Sequence, residues 1–179
     1  MKIKKVRVIF ILIIICLLVS ACVAKRDSLA NGDATTKVTI VEEDFNKNGS
    51  GSLKCVTEAV ASEEIDVDLN YNIDYKHGNI LKLQSTSKIT SLDSDVLDGY
   101  YQAYQGISQN YEDLKHYDTS LIRDSNSVTY VAVIDYDKID TDKLLAIEGE
   151  EDNVIVNGKA KLSLWLELAE KFGTTCEEV

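Results

Sequence analysis

Ile65-Asp66-Val67-Asp68-Leu69-Asn70-Tyr71-Asn72-Ile73-Asp74-Tyr75-Lys76 alternates apolar and polar residues without a break. Side chains of a strand point to opposite faces in turn, so this period of two predicts a strand with one buried and one wet face. A half-wet strand suits an antiparallel sheet better than a parallel one covered on both sides. His77-Gly78-Asn79 then reads as a turn, and Ile80 to Ser91 as the returning partner. Upstream, Leu53 to Val60 reads as a first strand.

The period changes after this hairpin. Leu97, Tyr100, Tyr104, Ile107, Tyr111 and Leu114 step by three and four, which places them on one stripe of a helix from about Ser94 to Leu114. Asp93 or Ser94 is its N-cap, with acids in the first turn. Gly99 and Gly106 each weaken it by roughly 1 kcal/mol against alanine and are expected where the helix approaches the sheet closely. A second hairpin follows, Tyr117 to Arg123 and Val128 to Tyr136 around a turn at Asp124-Ser125-Asn126-Ser127. A short helix near Asp140 covers Lys143 to Ile147, and an acidic loop from Gly149 to Asn157 carries a strand at Val154 to Val156. The last helix begins at Ser163 as cap and runs to Phe172, with Gly173 as its C′ residue and Cys176 in the tail beyond. The expected fold is α+β: a mostly antiparallel sheet of about four to five strands packed against a long central helix and C-terminal helices.

The chain opens on the basic segment Met1 to Arg7, followed by an apolar run from Val8 to Val19 and by Ser20-Ala21-Cys22. A basic start, an apolar middle and a small-residue exit make an export signal. The apolar run is too short for a bilayer-spanning helix, which needs about 20 residues. Val19-Ser20-Ala21-Cys22 resembles the lipobox of bacterial lipoprotein precursors. That resemblance implies cleavage after Ala21 and a diacylglyceryl group on Cys22, and two acyl chains are what stable anchoring takes. The expected organisation is a signal peptide over 1–21, a lipid-anchored tether over 22–52 and one globular domain over 53–179. The expected location is the extracytoplasmic face of the cell membrane.

The signal holds four of the 19 basic residues and none of the 30 acidic ones, which leaves the mature chain at a formal charge of −15. Such a surface repels polyanions, so nucleic acid is excluded as a partner. Of the four cysteines, Cys16 leaves with the signal and Cys22 takes the lipid. Cys55 and Cys176 remain in a compartment where disulfides persist, and the expectation is a bridge between them. By chain-entropy reasoning a loop that long stabilises a fold by up to about 4–5 kcal/mol.

From Leu53 onward the chain resembles the YehR-like family of small bacterial lipoproteins. The residues that carry the likeness are Lys54-Cys55-Val56-Thr57, the helix Val96 to Leu114, Val133 to Asp140, and Ser163-Leu164 through Phe172-Gly173-Thr174-Thr175-Cys176. The resemblance implies an α+β domain with a mostly antiparallel sheet on helices. The family has no catalytic signature, so the likeness implies nothing about activity.

The residues offer little catalytic chemistry. Asp44, Asn46 and Asn48, with Gly49 and Ser52, copy the opening of a calcium loop, but Cys55 stands where the bidentate glutamate belongs and no helix flanks it. A linker explains the same composition, and only salt-sensitive calcium binding to the acidic surface is expected. Asp135, Asp137, Asp140 and Asp142 read as a helix cap and a solvated cluster, and Asp66, Asp68 and Asp74 as the wet face of their strand. His77 and His116 stand at a turn and a helix end, with no zinc spacing. Neither a nucleophile elbow nor a phosphate-binding glycine loop occurs. No cofactor is implied. The nine tyrosines are mostly at core spacing; Tyr101 lies beside the helical stripe and offers itself for a ligand surface. The expected function is a lipid-anchored, non-enzymatic binding or interaction domain with a protein or cell-wall partner. A surface hydrolase built on carboxylates and a structural envelope protein are the alternatives.

Overall fold

The computed structural model describes residues 49–57, 65–150 and 153–179. The export signal, Cys22, the calcium-loop residues Asp44, Asn46 and Asn48, and the end of the first strand beyond Thr57 lie outside the described residues.

The chain order is β1 (Ser50–Thr57), β2 (Asp66–Lys76), β3 (Asn79–Thr90), α1 (Ser94–Tyr111), β4 (Tyr117–Arg123), β5 (Ser127–Asp135), α2 (Thr141–Leu145), β6 (Ile155–Val156), β7 (Lys159–Ala160), α3 (Leu162–Lys171) and β8 (Thr174–Glu178). Among the described residues six strands form one antiparallel sheet in the order β4-β5-β3-β2-β1-β8, and β6 pairs with β7 in a separate ribbon. The period-two segment is β2, at the middle of that sheet. Val67, Tyr71, Ile73 and Tyr75 are buried while Asp66, Asp68, Asn72 and Asp74 are exposed, as the alternation requires. His77 and Gly78, both at positive φ, make the two-residue turn to β3. Its handedness matches the twist of the strands it joins.

Four expectations need correction. The main sheet has six strands rather than four or five, because the segment after α3 is a strand and not a loose tail. Thr174-Thr175-Cys176-Glu177-Glu178 has no apolar alternation to announce it, and it pairs with β1 around Cys176. Next, α1 ends at Tyr111 and lies over the β4, β5 and β3 half of the sheet, so it is neither central nor as long as expected. A Cβ on Gly99 or Gly106 would meet nothing within 4 Å, so neither glycine marks a close approach. Last, Ser163 lies inside α3, and Lys161 holds the cap position without a side-chain cap bond. The helix starts there because Lys161 bridges Asn79 and the Leu162 amide donates to Gly78 O, at 3.1 Å. The backbone of the β2–β3 turn takes the place of a capping hydroxyl.

Other local readings agree with the structure. Asp93 caps α1 by accepting from the Asp95 and Val96 amides, and Asp140 caps α2 through the Lys143 amide at 3.1 Å. Gly173, at φ 72°, closes α3. The helices cover one face of the sheet, where Leu97, Tyr100 and Tyr104 of α1, Leu144 of α2, and Leu162 and Trp165 of α3 join Leu53, Ile73, Ile89 and Val128 in one core. Among the described residues no helix is long and apolar enough to cross a membrane.

Candidate functional site

Aromatic residues crowd the space between the helices and the sheet. Eight of the nine tyrosines are buried, so the tyrosine content goes into the core. Tyr101 is partly buried and packs against that core from α1. Tyr104 and Tyr130 stack at 4.7 Å between ring centres, and the Tyr104 hydroxyl lies 2.6 Å from the Ser87 hydroxyl. Tyr111 and Tyr117 stack at 4.1 Å, and Trp165 meets Tyr71 edge-on at 5.2 Å. Tyr71, Tyr117, Tyr136, Asn153 and Trp165 line a crevice below α3.

The crevice is nearly full. Only about 20 Å³ of it accommodates the centre of a water molecule, roughly the space one water needs. Its chemistry is governed by burial. Desolvation pushes the Tyr71 hydroxyl up to about 12, against a lowering hydrogen bond with Thr57. The Tyr136 hydroxyl is raised by burial first and by the nearby Glu150 carboxyl second, against a hydrogen bond with Asn153. Tyr117 is raised well above the usual tyrosine range by burial, then by Tyr111, Tyr130 and Glu150; its hydroxyl is buried without a hydrogen-bond partner among the described residues. Such phenols stay neutral at physiological pH and supply no general base.

Glu150 is the group the sequence did not point to. It sits in an acidic run that reads as a solvated loop, yet it is fully buried. The Tyr111 hydroxyl donates to Glu150 Oε1 at 2.6 Å, and Asn153 Nδ2 donates to Oε2. Two donors converging on one carboxyl pin the loop to the end of α1. Tyr111→Phe keeps the ring stack and removes one donor, and it is expected to lower stability by about 1.5–3 kcal/mol. Urea unfolding of the variant beside the parent measures it; a change under about 0.5 kcal/mol would mean that this bond does not hold the loop.

The remaining candidates fall on separate parts of the molecule. Asp135 is held below the usual carboxylate range by its hydrogen bond with Lys138, at 2.7 Å, and Asp140 serves as the α2 cap. Asp137 and Asp142 are exposed, so the acidic cluster forms a cap and two ion pairs on a wet surface. His77 and His116, both at positive φ, occupy different turns. Among the described residues no group of three His, Cys, Asp or Glu side chains is placed to hold a metal. Cys55 and Cys176 form a disulfide; they sit opposite one another on β1 and β8 with Cα atoms 4.0 Å apart.

No family model matches the chain, and no curated protein sequence matches it significantly. Its fold is similar to the solution structure of the YehR protein of Escherichia coli, with a TM-score of 0.52 and 15% identity over 74% of this chain and 94% of that one. A protein from Streptococcus pneumoniae TIGR4, also solved by NMR, aligns with a TM-score of 0.45 and 15% identity over 87% of this chain and 98% of its own. At such identity the likeness to YehR concerns the fold alone.

Proposed function

We propose that this chain is a lipid-anchored, extracytoplasmic binding or interaction domain without catalytic activity. The observation that carries the reading is the basic, apolar and small-residue succession ending in Val19-Ser20-Ala21-Cys22. The pairing of Cys55 with Cys176 supports it, since such bonds persist outside the reducing cytoplasm. The closed crevice and the neutral buried phenols supply no acid–base pair, which favours recognition over turnover. Recognition falls to the outer face of the sheet, because the helices occupy the inner one. Asn70, Asn72, Gln84 and Thr86 stand there on neighbouring strands in matched register.

The test is Cys22→Ala in the full-length precursor. Fatty-acid labelling is expected to disappear, and the protein to leave the membrane fraction or persist as unprocessed precursor. A variant that still labels and still fractionates with membranes would overturn the anchor. Capture of envelope components by the parent protein, compared with the unanchored variant, addresses the partner.

A further inference from the structure

β8 contributes little of what usually holds a strand in place. Of its side chains only Thr174 is buried; Cys176 is half-buried, and Thr175, Glu177 and Glu178 are exposed. Among the described residues it pairs with β1 alone, which leaves it at the end of the sheet. Beyond the backbone ladder its ties among the described residues are the Thr57–Thr174 hydroxyl contact at 2.7 Å, the Thr175 hydroxyl donating to Val56 O at 3.4 Å, the Tyr75 hydroxyl donating to Glu178 at 3.1 Å, and the disulfide. A strand with so little apolar burial has little to offset the ordering of its own backbone. The covalent bond supplies what burial does not.

Two further observations give that bond a direction and a consequence. Cys55 is fully buried on β1 and only Cys176 keeps some exposure, so an incoming thiolate meets Cys176 first. Behind β8, Thr174 closes a narrow space whose other walls are Tyr71, Trp165, Leu168 and Ala169. That space adjoins the larger crevice through Tyr71, Trp165 and Leu168. β8 is therefore a wall around the single tryptophan of the chain.

We propose that Cys55–Cys176 is a redox latch: opening it by a dithiol frees β8 from β1 and uncovers the Trp165 crevice, while the rest of the domain stays folded. In the exchange a dithiol thiolate bonds to Cys176 Sγ, and Cys55 Sγ leaves and takes up a proton. The second thiol of the reductant then attacks the mixed bond, which releases the Cys176 thiol and leaves the reductant as its own disulfide. Two electrons and two protons pass to the protein. β1 remains in place because it pairs with β2 along its whole length, from Ser50 opposite Lys76 to Thr57 opposite Leu69. In an oxidising compartment the latch rests closed, and opening needs a delivered dithiol. The device does not depend on the anchor.

The experiment is reduction of the folded mature chain with dithiothreitol at neutral pH, with alkylation and mass measurement to follow both thiols. Once reduced, the β8 amides are expected to exchange at least tenfold faster while those of β2 and β3 keep their protection. Acrylamide quenching of Trp165 is expected to at least double, and the near-ultraviolet circular dichroism of the stacked tyrosines to persist. The double variant Cys55→Ser with Cys176→Ser is expected to show the same open state without reductant. Unchanged β8 exchange or unchanged quenching after verified reduction would overturn the latch. So would a bond that yields only under denaturing conditions, or a reduced protein or double variant that loses the tyrosine signal, since each marks a structural staple instead.

Discussion

Trp165→Ala is expected to destabilise the domain by about 3–5 kcal/mol, the usual result of emptying a large aromatic from a packed core. Trp165 is buried on α3, edge-on to Tyr71, and its ring borders both parts of the crevice. Its removal takes away the packing between α3 and β2, and the surroundings have little freedom to close over the gap. Leu164, one residue earlier on the same helix, is exposed, and Leu164→Ala is expected to cost under about 1 kcal/mol. Urea unfolding of the two variants gives the comparison. Equal losses would mean that α3 is not held through Trp165.

Stability is also expected to fall steeply between pH 10 and pH 12. Burial raises the Tyr71 and Tyr100 hydroxyls from the ordinary value of 10.0 to about 12, and it raises Tyr117 and Tyr136 as well. These phenols ionise more readily in the unfolded chain, which therefore binds fewer protons than the folded one above pH 10. The stabilisation is complete below pH 10 and is lost as pH climbs through the folded-state values. For Tyr71 alone the loss is about 2–3 kcal/mol, and Tyr100 adds to it in the same sense. Tyrosinate absorbance at 295 nm, followed with far-ultraviolet circular dichroism, should show most tyrosines ionising together with unfolding, above pH 10. Smooth titration of all nine near pH 10 with the fold intact would contradict the burial described.

Residues whose side chains alternate or recur with a clear period revealed their place in the sequence. β2 is the clearest case, since every second residue from Val67 to Tyr75 has to be apolar to cover the helices. The α1 stripe is legible for the same reason, and the bridge between Cys55 and Cys176 follows from there being two cysteines left once the others are assigned. β8 was not legible because its place comes from one covalent partner far away in the chain, not from its own pattern. The β6–β7 hairpin was half seen: strands of two residues are too short to show a period, although Asn157-Gly158 is a turn pair that marks it. Glu150 was hidden by its neighbours, because a carboxyl buried by tertiary contacts has the same sequence context as a solvated one. The crevice draws its lining from β2, β3, β4, β5 and α3, so no single segment carries its signature.

The pairing of β8 with β1 also governs the order in which the sheet is completed. A chain delivered N-terminus first presents β1, β2 and β3 early, and these three can pair as soon as they appear. The outer side of β1 then has to wait for the strand that emerges after all the others. During that interval the Leu53 and Cys55 side of the sheet is bare, and Cys55 offers its thiol to any strand or cysteine nearby. Arrival of Cys176 closes the gap in register and in covalent bonding at once. Until β8 is delivered, that side of β1 is an edge at which the sheet can mispair.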